Sequence, residues 1–108
     1  MRLAIRSRGR KLDDAARQAI ERRLRFLLAR FCTRLVRVAV SLTDHKDSCD
    51  REQTRCRIVA QLVPAGQVCV EVMETDPCAA VDQAMARIGP AVSRELHGRR
   101  DRRRMPVN

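Results

Sequence analysis

The sequence has no Trp and no Tyr, and Phe26 and Phe31 are its only phenyl rings. Single-strand binders that stack bases on aromatic platforms need more rings than this, so that mode of nucleic-acid recognition is excluded. No apolar run approaches the roughly 18 residues that a membrane-spanning helix needs. The cysteines, at 32, 49, 56, 69 and 78, are odd in number, include no Cys-x-x-Cys, and follow no apolar signal segment. Neither a disulfide framework nor a zinc knuckle is indicated, and they are expected to be reduced, mostly buried small hydrophobes in a cytoplasmic protein. Lysine is scarce as well, standing only at 11 and 46, so nearly all of the 23 basic residues are Arg.

Those arginines outweigh 13 acidic residues and leave a formal net charge of +10. A planar guanidinium forms paired hydrogen bonds to phosphate, so an Arg-rich surface points to a polyanionic partner, with nucleic acid first among them. At 108 residues and 44% hydrophobic content the chain holds one domain with one core, and that core must be largely aliphatic.

Along the chain, Leu3 and Ile5 alternate with Arg2, Ala4 and Arg6, the period of a half-buried strand, ended by Ser7-Arg8-Gly9-Arg10. Asp13 and Asp14 then cap a helix on which Ala16, Ile20, Leu24, Leu27 and Phe31 share one face, about five turns long, with Arg17, Arg22, Arg23, Arg25 and Arg30 on the others. Val36, Val38, Val40 and Leu42 form the apolar side of a second strand, expected to lie parallel to the first because a helix joins them. Residues 43–53 have no periodicity and are expected to be a mobile loop. A hairpin follows around Pro64-Ala65-Gly66, with Leu62 opposite Val68, Ala60 opposite Val70 and Ile58 opposite Val72. Asp76-Pro77 opens a second amphipathic helix whose packing face carries Val81, Met85, Ile88, Val92 and Leu96.

The fold class is therefore α+β with the order β-α-β-β-β-α, a four-stranded mixed sheet covered on one face by both helices. The other face, with Arg2, Arg6, Arg37, Arg55, Arg57 and Glu71, is expected to stay open to water. Residues 1–97 form the domain and 98–108 a basic, disordered tail.

The run Asp76-Pro77-Cys78-Ala79-Ala80-Val81-Asp82-Gln83-Ala84, after a strand Val68-Cys69-Val70-Glu71-Val72 and before Ile88, Val92 and Arg94, resembles the ribosome hibernation-promoting factors, also called ribosome-associated inhibitors. The resemblance extends over about residues 1–97. It implies a factor for translational regulation and stress response that binds the small ribosomal subunit near the decoding centre and blocks messenger RNA and tRNA by occupancy. It also implies ribosomal RNA contacts from Arg23 on the first helix and from Arg87 and Arg94 on the second. The helical pattern adds Arg17, Arg22 and Arg30, and the tail adds Arg99 and Arg100. A further carboxy-terminal domain of the kind with which longer members dimerise is not expected, and a monomer when free is. Gly89-Pro90 departs from the family: Pro90 removes one basic contact and is expected to kink or interrupt the second helix.

Two other functions compete with this one. A general double-stranded RNA binder also presents Arg from helices and is the alternative. An enzyme or metal site would rest on His45, Cys49 and Cys56, but His-x-x-x-Cys-x(6)-Cys fits no ligand or nucleophile pattern, and no Gly-rich phosphate loop is present. Neither catalytic residues, a cofactor, a metal nor a small-molecule substrate is expected, and no membrane partner.

Overall fold

A computed structural model describes residues 1–9 and 12–104, with 99–104 as backbone alone. Its elements are β1 (Arg2–Arg8), α1 (Asp14–Leu27), a short 3₁₀ turn (Ala29–Phe31), β2 (Leu35–Lys46), β3 (Glu52–Leu62), β4 (Gln67–Glu74) and α2 (Pro77–Arg104). The strands lie in the order β1-β2-β3-β4; β1 runs parallel to β2 and the other pairs are antiparallel. The fold is thus the α+β arrangement that the periodicities imply, with a mixed sheet and two helices.

The core lies between the helices and one sheet face. Ile5, Val38, Val40, Leu42, Ile58, Val70 and Val72 face it from the strands, Ile20, Leu24 and Leu28 from α1 and its end, and Ala80, Ala84, Met85, Ile88 and Val92 from α2. Each of the larger of these side chains contributes roughly 1.5–3 kcal/mol by leaving water. Phe31 joins the core, whereas Phe26 is 83% exposed.

Both helices start where the caps place them. Asp13 Oδ1 accepts from Ala16 N at 2.7 Å and Asp76 Oδ1 from Cys78 N at 3.1 Å, each satisfying an orphan amide of a first turn. The first helix is shorter than its periodicity suggests. α1 ends at Leu27, and the chain tightens into the 3₁₀ turn that carries Phe31 into the core.

The expected mobile loop at 43–53 is mostly strand. Asp44 pairs with Thr54, His45 with Gln53 and Lys46 with Glu52, so only the short turn between Lys46 and Glu52 is unpaired. A ladder extends on backbone bonds alone once the core has set its register, and polar side chains give no periodic sign of it. Asp47 Oδ1 closes the turn by accepting from Cys49 N and Arg51 N, both at 2.9 Å, while Asp50 adopts a positive φ of 59°.

Two strand details also differ. The β3–β4 pairs are Ala60 with Val68, Ile58 with Val70 and Cys56 with Val72, two residues away from the expected register. A slip of two preserves which side chains face inward, so alternation could not distinguish the two registers. Gly66, at φ 110°, turns the chain, and its carbonyl accepts from Leu62 N at 2.9 Å. In β2 a bulge between Leu35 and Arg37 turns Leu35 inward, at 4% exposure, and leaves Val36 outside at 49%.

Pro90 does not interrupt α2, which is helical from Pro77 to Arg104 and crosses residue 97 without a break. Pro90 lacks the N–H that would meet the carbonyl of Ala86. Both residues are exposed, so water can take that carbonyl. Residues 105–108 of the expected tail lie outside the described residues.

Candidate nucleic-acid interface

The helical arginines fall into two groups, because the helices present them to different sides. On α1, Arg22 is exposed and has no ion-pair or hydrogen-bond partner among the described residues. Its neighbour Arg23 is committed: Nη1 forms an ion pair with Asp82 Oδ1 of α2, tying the helices together. Both residues line an apolar groove between α1 and α2 of about 400 Å³, which also holds Ile20, Val81 and Met85. Arg25 pairs with Glu21 one turn back at 3.2 Å.

Arg17 is half-buried, and its Nη1 donates to the Ile5 carbonyl of the edge strand β1 at 2.6 Å. That bond makes it a brace between α1 and the sheet. Arg30 lies beyond α1, its guanidinium 4.6 Å from the centroid of the Phe31 ring. The ring face stabilises the cation while Arg30 itself stays exposed.

Arg87 and Arg94 are seven positions apart on α2, nearly two helical turns, so they share one side. Both are exposed and line a shallow groove of about 380 Å³ with Cys69, Glu71, Pro90 and Ala91. This side looks over β4, whereas Asp82 looks toward α1. The α2 pair is therefore separated from the α1 set. Arg99 and Arg100 lie in the helical backbone, but their side chains are outside the described residues.

The strands hold basic residues that helical patterning does not register. Arg6, Arg8, Arg55 and Arg57 surround a cavity of about 570 Å³ on the open face, over Ser41 and Thr43. Alternation of Arg with apolar residues along β1 and β3 is the sequence signal that marks them.

The cysteines are arranged differently from the expectation of mostly buried thiols. All five are free, and only Cys56 is buried, while Cys32, Cys49, Cys69 and Cys78 are exposed. Cys69 falls on an outward position of β4, and Cys49 in the β2–β3 turn, where no core exists to receive them. Burial pushes the Cys56 thiol up from 9.0 to about 11, so it stays neutral at physiological pH. Among the described residues no group of three or more His, Cys, Asp or Glu is placed to hold a metal ion. Among the described residues no helix is long and apolar enough to cross a membrane.

The described surface thus carries exposed arginines on both helices and on the sheet, and the comparisons with known proteins agree with the family resemblance. The backbone is similar to that of the Thermus thermophilus Protein Y N-terminal domain, with a TM-score of 0.69, 28% sequence identity, and coverage of 87% of this chain and 98% of that one. It shares its fold with a ribosomal subunit interface protein from Coxiella burnetii, with a TM-score of 0.70, 14% identity, and coverage of 90% and 99%. No curated protein sequence gives a significant match. The profile of the family described as sigma 54 modulation protein / S30EA ribosomal protein matches residues 3–100, so the chain belongs to that family, in agreement with its resemblance to the ribosome hibernation-promoting factors.

Proposed function

We propose that this protein binds the small ribosomal subunit near the decoding centre and inhibits translation by occupying the path of messenger RNA and of tRNA. The observation that carries the reading is the pairing of its family membership, over residues 3–100, with exposed arginines on both helices. Arg22, Arg87 and Arg94 act as the direct phosphate contacts, each guanidinium offering two parallel N–H donors. Arg30 adds a fourth, steadied by Phe31. Arg99 and Arg100 supply further positive charge beyond Gly98. Arg17 and Arg23 hold the helices in place through Ile5 and Asp82, and Arg23 reaches RNA only by giving up part of its contact with Asp82.

Inhibition on this reading needs no bond to be made or broken. The protein and the translation ligands compete for one space, so the inhibitor works as a monomer at a ratio of one per subunit. Cosedimentation with small subunits, large subunits and whole ribosomes at two salt concentrations tests it. Binding to small subunits and whole ribosomes but not to large subunits is the expected result, together with displacement of messenger RNA. Equal affinity for small subunits and for an equal mass of duplex RNA would instead assign a general double-stranded RNA binder.

A further inference from the structure

The face of the sheet away from the helices is strongly basic. The outward positions of β1, β2 and β3 carry Arg2, Arg6, Arg8, Arg37, Arg55 and Arg57, and the outward positions of all four strands hold a single carboxylate, Glu71. Register collects the charge. One row across the sheet reads Arg6, Ser41, Arg57, Glu71 and the next Arg8, Thr43, Arg55, Met73. With strands about 4.8 Å apart, the β1 and β3 arginines stand roughly 10 Å from each other, flanking the two β2 hydroxyls. These six side chains line the cavity of about 570 Å³, and Arg17 of α1, bonded to the Ile5 carbonyl of the edge strand, lines it as well.

The guanidiniums on β3 are held by β4. Arg57 Nε donates to Cys69 Sγ at 3.3 Å. Arg55 Nε lies 2.9 Å from Glu71 Oε1, an ion pair too poorly aligned to be a hydrogen bond, and this nitrogen is buried with no hydrogen-bond partner among the described residues. Anchoring at Nε fixes the plane of each fork and leaves the paired terminal nitrogens for a ligand. Arg6 and Arg8 are exposed and have no ion-pair or hydrogen-bond partner among the described residues.

The chemistry that fits is a phosphodiester chain. Guanidinium forks take phosphate oxygens in pairs, and the Ser41 and Thr43 hydroxyls add donors at the floor. The outward positions also include Ala4, Ala39, Val59 and Met73 but no Phe, Tyr or Trp, and the one ring among them, the His45 imidazole, stands beyond Thr43 at the end of β2, so the face has no platform of rings on which successive bases stack. Recognition there is of backbone rather than of sequence.

We propose that the open sheet face is a second RNA-backbone site, centred on Arg6, Arg8, Arg55 and Arg57 over Ser41 and Thr43, so that RNA grips the protein on two opposite faces. It rests on the proposed function only in taking RNA as the partner. Arg87 and Arg94 sit at the β4 edge beside Cys69 and Glu71, so the basic surface runs from the sheet round to α2.

The full chain and two variants test this: Arg6→Gln/Arg8→Gln on the sheet and Arg22→Gln/Arg87→Gln/Arg94→Gln on the helices. Affinities for small ribosomal subunits and for a short mixed-sequence RNA duplex are measured across a salt series. Amide shifts are mapped with the duplex. The sheet variant should keep the wild-type melting temperature, lose about tenfold in affinity for the duplex, and show a salt slope shallower by about one to two, as expected for one or two lost phosphate contacts. Amides of Ser41 and Thr43 should shift when the duplex is added.

Unchanged duplex affinity and slope in the sheet variant, or shifts confined to α1 and α2, would overturn the proposal and leave the helical reading standing. Failure of the wild-type chain to bind small subunits, with the sheet variant still impaired on the duplex, would overturn the ribosomal reading alone. Loss of polyglutamate binding by the sheet variant, with duplex binding retained, would assign the face to an acidic protein partner instead.

Discussion

Arg23 of α1 and Asp82 of α2 form an ion pair that bridges the two helices across their shared groove. The side chains are 49% and 61% exposed, so water screens the pair, and its contribution to stability is small, about 0.2–1 kcal/mol. Its larger consequence is for availability. Arg23 is the α1 position that resemblance assigns to ribosomal RNA, and in the free protein it already has an anionic partner. Asp82→Asn should therefore tighten RNA binding at low salt while costing at most about 1 kcal/mol of stability. Titration of small subunits with the variant checks it, and weaker binding would show that Asp82 organises Arg23 for its contact.

Arg17 should behave as a structural residue. Arg17→Ala removes the donor from the Ile5 carbonyl and should destabilise the fold by about 1–2 kcal/mol. Arg22→Ala, at an exposed position, should change stability by less than about 0.5 kcal/mol yet weaken RNA binding. Denaturant midpoints and binding curves for the two variants separate the roles. A fall in RNA affinity for Arg17→Ala larger than that for Arg22→Ala would place Arg17 at the interface.

Gly89 and Pro90 weaken α2 without breaking it. A Cβ at Gly89 meets no atom within 4 Å, so Gly89→Ala should gain close to the intrinsic difference of about 1 kcal/mol. Pro90→Ala restores the bond to the Ala86 carbonyl and should raise stability by up to about 3 kcal/mol. Amide exchange across residues 86–96 should slow in both. No change on replacing Pro90 would mean that this turn is held by its packing against the sheet.

Stability should decline in alkali because of Cys56. The unfolded thiol loses its proton near 9.0, whereas the buried one keeps it to about 11. Between those values the unfolded chain binds fewer protons than the native one, so stability is fully present below pH 9.0 and falls as pH rises through the window. Cys56→Ala should flatten that slope in urea unfolding followed against pH, and an identical slope would move its origin to another group.

Salt should weaken RNA binding steeply. Replacing Arg22, Arg87 and Arg94 together with Ala should reduce the slope of log affinity against log salt by about two to three, one for each phosphate contact removed. The fold should be unaffected, since none of the three has a hydrogen-bond or ion-pair partner among the described residues. Unchanged affinity would move the helical interface to other residues.

Much of this molecule was legible in one dimension because periodicity and caps are local. The alternation of Leu3 with Ile5 and of Val38, Val40 and Leu42 marks the strands, Asp13 and Asp76 mark the helix starts, and those signals suffice for the element order. The run from Asp76 to Ala84 carries the family, and its profile match confirms it. What local signals do not carry is non-local. The polar ends of β2 and β3 are ordered by pairing with each other, the β3–β4 register differs by two with no change of face, and the β2 bulge exchanges Val36 for Leu35.

The interface divides in the same way. Charge, the preponderance of Arg and the scarcity of aromatic rings are properties of composition, and the proposed partner, a phosphate backbone met without base stacking, rests on them. Which arginines remain available was decided only by the tertiary structure. Arg17 is spent on Ile5 and Arg23 on Asp82, twelve and fifty-nine positions away in the chain, while Arg6 and Arg57 become neighbours across β2. A guanidinium's partners are set by what folding brings within about 3 Å of it, and no spacing along the sequence encodes that distance.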